Sequence, residues 1–167
     1  VPVEDRPTKQ QHRRNIDNYF GVILRDIGEG GIIDGDKREL INTVKTGHAV
    51  HIFRASATGR YFLTIGRDGK VSLIDLFEDQ PRVVAESRVC LDARSVDVSK
   101  YTGPEGDFDD DYAVVGCYWP PQMVVLDGRT MEPLKVISTR SSTYDTNEYH
   151  PEPRVATIVA SQHAPEW

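Results

Sequence analysis

From Tyr19 onward the chain is a series of short runs in which apolar and β-branched residues dominate, separated by glycine, aspartate and proline. Tyr19–Leu24 (YFGVIL) is the first run and Gly31–Asp34 (GIID) the second. Ala49–Ala55, Tyr61–Ile65, Val71–Leu76, Val83–Glu86, Ser95–Val98, Tyr112–Cys117, Met123–Leu126, Leu134–Ser138 and Val155–Ser161 follow. Thr58-Gly59, Asp68-Gly69-Lys70 and Asp127-Gly128 supply turn chemistry between them. No stretch carries the 3.6-residue period of an amphipathic helix, so the pattern predicts an all-β chain. Val1–Asn18 differs. It is polar, with Pro2, Pro7 and a basic-polar run from Lys9 to Arg14, and reads as a linker or lead-in arm to a β domain spanning 19–167.

The runs repeat. GGIIDGDKRELINTV, VSLIDLFEDQPRVVA and MVVLDGRTMEPLKVI each place an apolar triplet before an Asp (Asp34, Asp75, Asp127), then a polar turn, then another apolar strand. The Asp-to-Asp spacings are 41 and 52, and the longer one contains an acidic insertion, Gly103–Asp111. Without it the period is about 40–45 residues, the size of a four-stranded propeller blade. A closed propeller needs at least about four blades. The chain supplies about three, so the expectation is a partial β-propeller, part of a larger ring, with both ends cut rather than finished.

Composition narrows the partners. The net charge is −6 and the charged fraction 28%, which argues against nucleic acid or an anionic membrane as the main partner. No apolar run approaches the roughly 20 residues of a membrane span. Val1 opens a polar segment rather than a signal peptide. Cys90 and Cys117 form no C-x-x-C or C-x-x-C-H motif, which excludes a zinc ribbon or a covalent c-type heme in this segment. Both read as buried small apolar residues, with a disulfide the lesser alternative. The acidic stretch Glu105–Asp111 reads as a solvated insertion, and its spacing matches no EF-hand loop.

His48 and His51 lie in one predicted strand. An odd separation sends them to opposite faces, so they cannot chelate one metal together. The strands preceding each repeated hairpin, AVHIFRAS, ARSVDVSK and PRVATIVAS, bring His51, Arg94 and Arg154 to nearly equivalent positions at the starts of inner strands. A second set, Arg25, Arg67 and Tyr118, precedes each repeat Asp by eight or nine residues. Arginine recognises carboxylates through paired, permanently charged donors, and a neutral imidazole offers one bond to a metal. The cluster suits a flat ligand with several carboxylates. The competing reading pairs each Arg with an Asp in a blade turn: Arg25 near Asp26, Arg67 near Asp68.

At these residues the chain resembles the heme d1 propeller domain of the cytochrome cd1 nitrite reductases. RPTKQQ, LRD, IDG, AVHI-x-R-x-SA-x-GRY, IGRDGKV, IDL, ARSV, YWPPQ, LDG-x-T-x-EP, STR and YHPEPRVA-x-I-x-AS carry the resemblance in order from about Asp5. It implies an eight-bladed propeller holding heme d1, with His51 as proximal iron ligand. It also implies that Arg25, Arg67, Arg94 and Tyr118 surround the heme and its carboxylates, where the repeat adds Arg154. His48 is then a solvent-facing residue. The resemblance implies one-electron reduction of nitrite to nitric oxide, fed from a heme c in an upstream cytochrome domain. It further implies a c-type cytochrome or small copper protein as electron donor, a homodimer and the periplasm. A distal histidine pair is expected downstream. Neither His150 nor His163 is assigned to it, so no catalytic residue is expected in this segment and the segment alone is expected to be inactive. Two alternatives share the fold: a heme d1 assembly protein, either a dihydro-heme d1 dehydrogenase or a carrier, and an interaction propeller without enzymatic activity.

Overall fold

The computed structural model describes residues 1–139 and 154–167. Its strands are β1 (Tyr19–Leu24), β2 (Glu29–Asp34), β3 (Glu39–Lys45), β4 (Ile52–Ala55), β5 (Tyr61–Ile65), β6 (Lys70–Asp75) and β7 (Arg82–Arg88). β8 (Asp92–Val98), β9 (Thr102–Gly103), β10 (Gly106–Asp107), β11 (Tyr112–Trp119), β12 (Gln122–Asp127) and β13 (Pro133–Ser138) follow. The described residues contain no α-helix, only short 3-10 turns. Every pairing is antiparallel. The sheets run β1-β2-β3, β4-β5-β6-β7 and β8-β11-β12-β13, with the β9–β10 hairpin inserted in the third. The fold is the partial propeller the repeat predicts, and β4 and β8, the first strands of their sheets, pack beside each other.

Packing between sheets explains the apolar patterns. Leu63, Ile65, Val71 and Leu73 meet Val96, Val98, Val115 and Leu126 between the second and third sheets. Phe62, Ile74 and Leu76 meet Tyr19, Ile32 and Val44 between the first and second. β5 is buried on both faces, which is why it reads YFLTI rather than alternating. Phe53 fills the seam with the first sheet, where a Cβ on Gly30 would lie 2.2 Å from its ring and one on Gly21 2.3 Å. Only glycine leaves room there on both β1 and β2.

Each repeat Asp builds the same turn. The Oδ1 atoms of Asp34 and Asp127 each accept the N–H groups two and three residues on, and Asp75 accepts that of Phe77. These turns mark one end of the sheets; the turns carrying Arg25, Arg67 and Tyr118 lie at the other. The arm lies against the Asp end. The Arg6 guanidinium is buried and donates to the Arg129 carbonyl at 2.7 Å, Gln11 N–H donates to Phe77, and Arg60 reaches both Asp75 (2.6 Å) and the Pro7 carbonyl.

Four expectations are corrected. Cys90 and Cys117 are joined by a disulfide across a Cα–Cα distance of 6.3 Å. They lie far apart in sequence but on adjoining elements, which spacing alone does not show. Val155–Ser161 is not a laddered strand. The N–H groups of Ile158 and Ala160 bond the side chains of Ser95 and Asp97 on β8 instead of a strand backbone. The strand expected from Ala49 starts at Ile52, because Ala49 has a positive φ of 47°. His48 and His51 therefore precede it, and strand alternation does not separate them. The acidic insertion is exposed toward its tip, but Asp110 at its base is buried against Ala57 and Thr58 of the β4–β5 turn. His150 and its flanking prolines lie outside the described residues.

Candidate functional site

The site end is assembled from turns held by glycine contacts. The connection 46–51 leads into β4 and lies directly on the β5–β6 turn: a Cβ on Gly47 would stand 2.9 Å from the Gly66 Cα. The Arg67 N–H donates to the His48 carbonyl at 2.8 Å, locking the two segments together. On the other side Thr46 N–H donates to the Gly28 carbonyl at 2.9 Å, docking the turn that carries Arg25. Gly28 closes that turn at φ +67°, in the left-handed region that favours glycine.

Four of the predicted residues converge directly. The Tyr118 ring has the guanidinium carbons of Arg154 at 5.4 Å, Arg94 at 5.5 Å and Arg67 at 5.9 Å from its centroid. These arginines come from the β5–β6 turn, β8 and the segment after residue 153, so three successive repeats contribute to one locus. Cations gather favourably against the negative face of a phenol, but they repel one another. Asp92 offsets one of them, its Oδ2 2.6 Å from the Arg67 guanidinium. An anionic group facing the three guanidinium groups would relieve that repulsion.

His51 stands at the start of β4, beside this cluster. Its Nε2 lies 3.0 Å from the Arg94 carbonyl and its Nδ1 3.3 Å from the Ala49 carbonyl. A neutral imidazole donates from one nitrogen alone. Both ring nitrogens are opposed by carbonyl oxygens in this arrangement, so a metal at either nitrogen requires that contact to open. His48 is exposed. Among the described residues no cluster of His, Cys, Asp or Glu forms a self-contained metal cage.

Arg25 follows the competing reading. It is 64% exposed and faces Asp26 at 3.8 Å. Arg67 pairs with Asp92 rather than Asp68, which takes Arg88 instead. Two residues were not singled out in the sequence. Asp92 is one. Arg54 is the other: it lies on β4 and its Nε is buried without a hydrogen-bond partner. Arg54 sits inside the AVHI-x-R motif, and a buried guanidinium nitrogen awaiting an acceptor fits a site for carboxylates.

Blade-like sheets with three arginines gathered on a phenol at one end make this a segment of a β-propeller. The chain belongs to the Cytochrome D1 heme domain family, which matches residues 14–167. It is 53% identical over 167 residues to a nitrite reductase of Stutzerimonas stutzeri, covering all of this chain and 29% of that protein. It is 29% identical over 164 residues to a dihydro-heme d1 dehydrogenase of Pseudomonas aeruginosa, covering 95% of this chain and 31% of that one. In three dimensions it resembles the solved dihydro-heme d1 dehydrogenase NirN in complex with DHE, with a TM-score of 0.74 and 30% identity over 85% of this chain and 29% of that one. The chain thus spans about a third of the length of the curated relatives it matches.

Proposed function

We propose that this chain is the heme d1-binding part of a nitrite reductase that forms nitric oxide. The observation that carries the reading is the convergence of Arg67, Arg94 and Arg154 on Tyr118 beside His51. This donor set fits heme d1: guanidinium groups for its carboxylates, an aromatic ring for a flat macrocycle, and an imidazole that can take iron once one carbonyl contact opens. Heme d1, when bound, supplies the iron at which nitrite takes one electron and two protons to give nitric oxide and water. His51 would ligate that iron from the proximal side. Arg94 and Arg154 would hold carboxylates, with Arg67 oriented by Asp92. Arginines gathered at this end would also favour anionic nitrite.

The remaining assignments rest on the family. Residues 1–18 are the connecting arm from an upstream c-type cytochrome domain carrying heme c. A c-type cytochrome or small copper protein supplies the electron, and the whole protein is a homodimer of the periplasm. The Cys90–Cys117 disulfide supports an oxidising compartment. No helix of the described residues is long and apolar enough to cross a membrane.

A dihydro-heme d1 dehydrogenase remains the second reading, favoured by the structural likeness to that enzyme. Supplying the full-length protein with heme d1, an electron donor and nitrite, and separately with dihydro-heme d1 and an electron acceptor, separates them. Stoichiometric nitric oxide is the expected result. Oxidation of dihydro-heme d1 without nitric oxide formation would assign the chain to cofactor assembly.

A further inference from the structure

Tyr118, the residue around which the arginines gather, is not held by the β-ladder. β11 pairs with β8 through Gly116↔Ser95, Cys117↔Ala93 and Trp119↔Asp92, and its register slips on both sides of Cys117. On the other edge the β11–β12 ladder ends at Cys117↔Gln122. Tyr118 is therefore a bulge residue with no ladder partner on either side. Bulges re-aim side chains, but a bulge alone leaves the direction loosely set.

The adjacent covalent bond sets it. Cys117 is fully buried and precedes Tyr118 directly; its sulfur partner, Cys90, lies in the connection between β7 and β8. That connection is clamped from both sides. Val89 N–H donates to the Gly69 carbonyl at 3.0 Å in the turn carrying Arg67, and Leu91 N–H donates to the Trp119 carbonyl at 2.9 Å. Gly69 packs so closely that a Cβ there would meet the Cys90 carbonyl. Two residues past Cys90 stands Asp92, the carboxylate that holds Arg67. The disulfide thus joins the two backbone segments that carry the phenol and the counter-ion of one of its arginines.

We propose that the Cys90–Cys117 disulfide is a positioning element of the heme site, fixing Tyr118 and the Asp92–Arg67 pair relative to each other. The proposal rests on the reading of this cluster as a carboxylate-binding heme site. Its role is geometric: without the bond, only the Leu91–Trp119 hydrogen bond and the slipped end of the β8–β11 ladder join the bulge at Tyr118 to the 89–92 connection, and the arginines are held less firmly on one ring.

The test uses the full-length, cofactor-free protein titrated with ferric uroporphyrin, a heme carrying several carboxylates, followed by its absorption maximum. Three variants are compared with the parent: C90A/C117A, C90A/C117V, which refills part of the lost sulfur volume, and R94A. The expected result is binding about tenfold weaker in both cysteine variants, with a shifted absorption maximum. C90A/C117V should recover thermal stability without recovering affinity. Parental affinity and spectrum in C90A/C117V, with R94A weakened, would mean that packing and not the bond positions the ring, and would overturn the proposal. Parental binding in R94A as well as in the cysteine variants would instead remove the carboxylate-site reading on which it stands.

Discussion

The Nε2 of His51 lies 3.0 Å from the main-chain oxygen of Arg94, so the proposed iron ligand of one blade touches the backbone of the next. The ring sits at the start of an inner strand between two carbonyls, of which a neutral imidazole bonds only one. In the full-length protein, His51→Ala is expected to shift the heme d1 absorption bands and loosen cofactor retention. His48→Ala, at an exposed position, should leave both as they are. Retention and spectra equal to the parent in His51→Ala would remove it as ligand.

Arg94 and Arg67 should respond differently to truncation. Arg94→Ala deletes a charged donor from the site, an expected loss of about 1.5–3 kcal/mol in heme binding. Arg67→Ala does that and also strands Asp92, whose Oδ1 is already buried without a partner. An unpaired carboxylate then repels the ligand's own. Adding Asp92→Asn to Arg67→Ala should therefore recover part of the loss, a positive coupling measurable by calorimetric titration of the four proteins in the cycle. Strict additivity would mean that the pair does not act as a unit.

The sequence discloses the fold more fully than the site. β1 and β5 begin and end where their apolar runs do, because each is bounded by turn residues, and β5 is also buried between neighbouring sheets. Repetition also makes the site partly legible, since equivalent positions in successive blades share one end of the arc. What it hides is non-local. The Cys90–Cys117 bond depends on a connection folding back on β11, and the partner of Arg67 is 25 residues away rather than next to it. Val155–Ser161 carries a strand's composition, yet side chains of β8 take the N–H groups of Ile158 and Ala160. Arg25 occupies the right place in the repeat but is exposed and faces its own neighbour, Asp26.

Asp110 ties the acidic insertion to the preceding blade. Its carboxylate accepts the N–H groups of Ala57 (2.6 Å) and Thr58 (3.2 Å) and the Thr58 hydroxyl. Asp110 is buried and at φ +60°, a conformation asparagine and aspartate tolerate better than most residues. Asp110→Ala removes the acceptor from the partly exposed Ala57 and Thr58 donors and is expected to cost about 1–2 kcal/mol in the stability of the full-length protein. Asp110→Asn keeps an acceptor and the backbone preference and should cost less. Denaturant unfolding of the two variants checks the order, and equal losses would show that the backbone conformation rather than the carboxylate is what matters.

Asp127 makes a pH-dependent contribution whose sign follows from its surroundings. Partial burial works against the carboxylate, but N–H groups donated by Thr130 and Arg129, the Thr130 hydroxyl and the Arg129 charge outweigh it. Its pKa in the folded chain is lowered from the ordinary 3.8. A depressed folded pKa stabilises the fold fully above the unfolded value, and that contribution is lost as pH falls through the folded value. Asp127→Asn retains an oxygen acceptor for the turn but not the charge. The variant should be less stable than the parent at neutral pH, and the gap should close below about pH 4, where the unfolded chain binds the proton. Urea unfolding of the full-length protein and its variant from pH 7 down to pH 3 reads this directly. A gap that stays constant across that range would mean that the Asp127 turn stabilises through shape alone, without its charge.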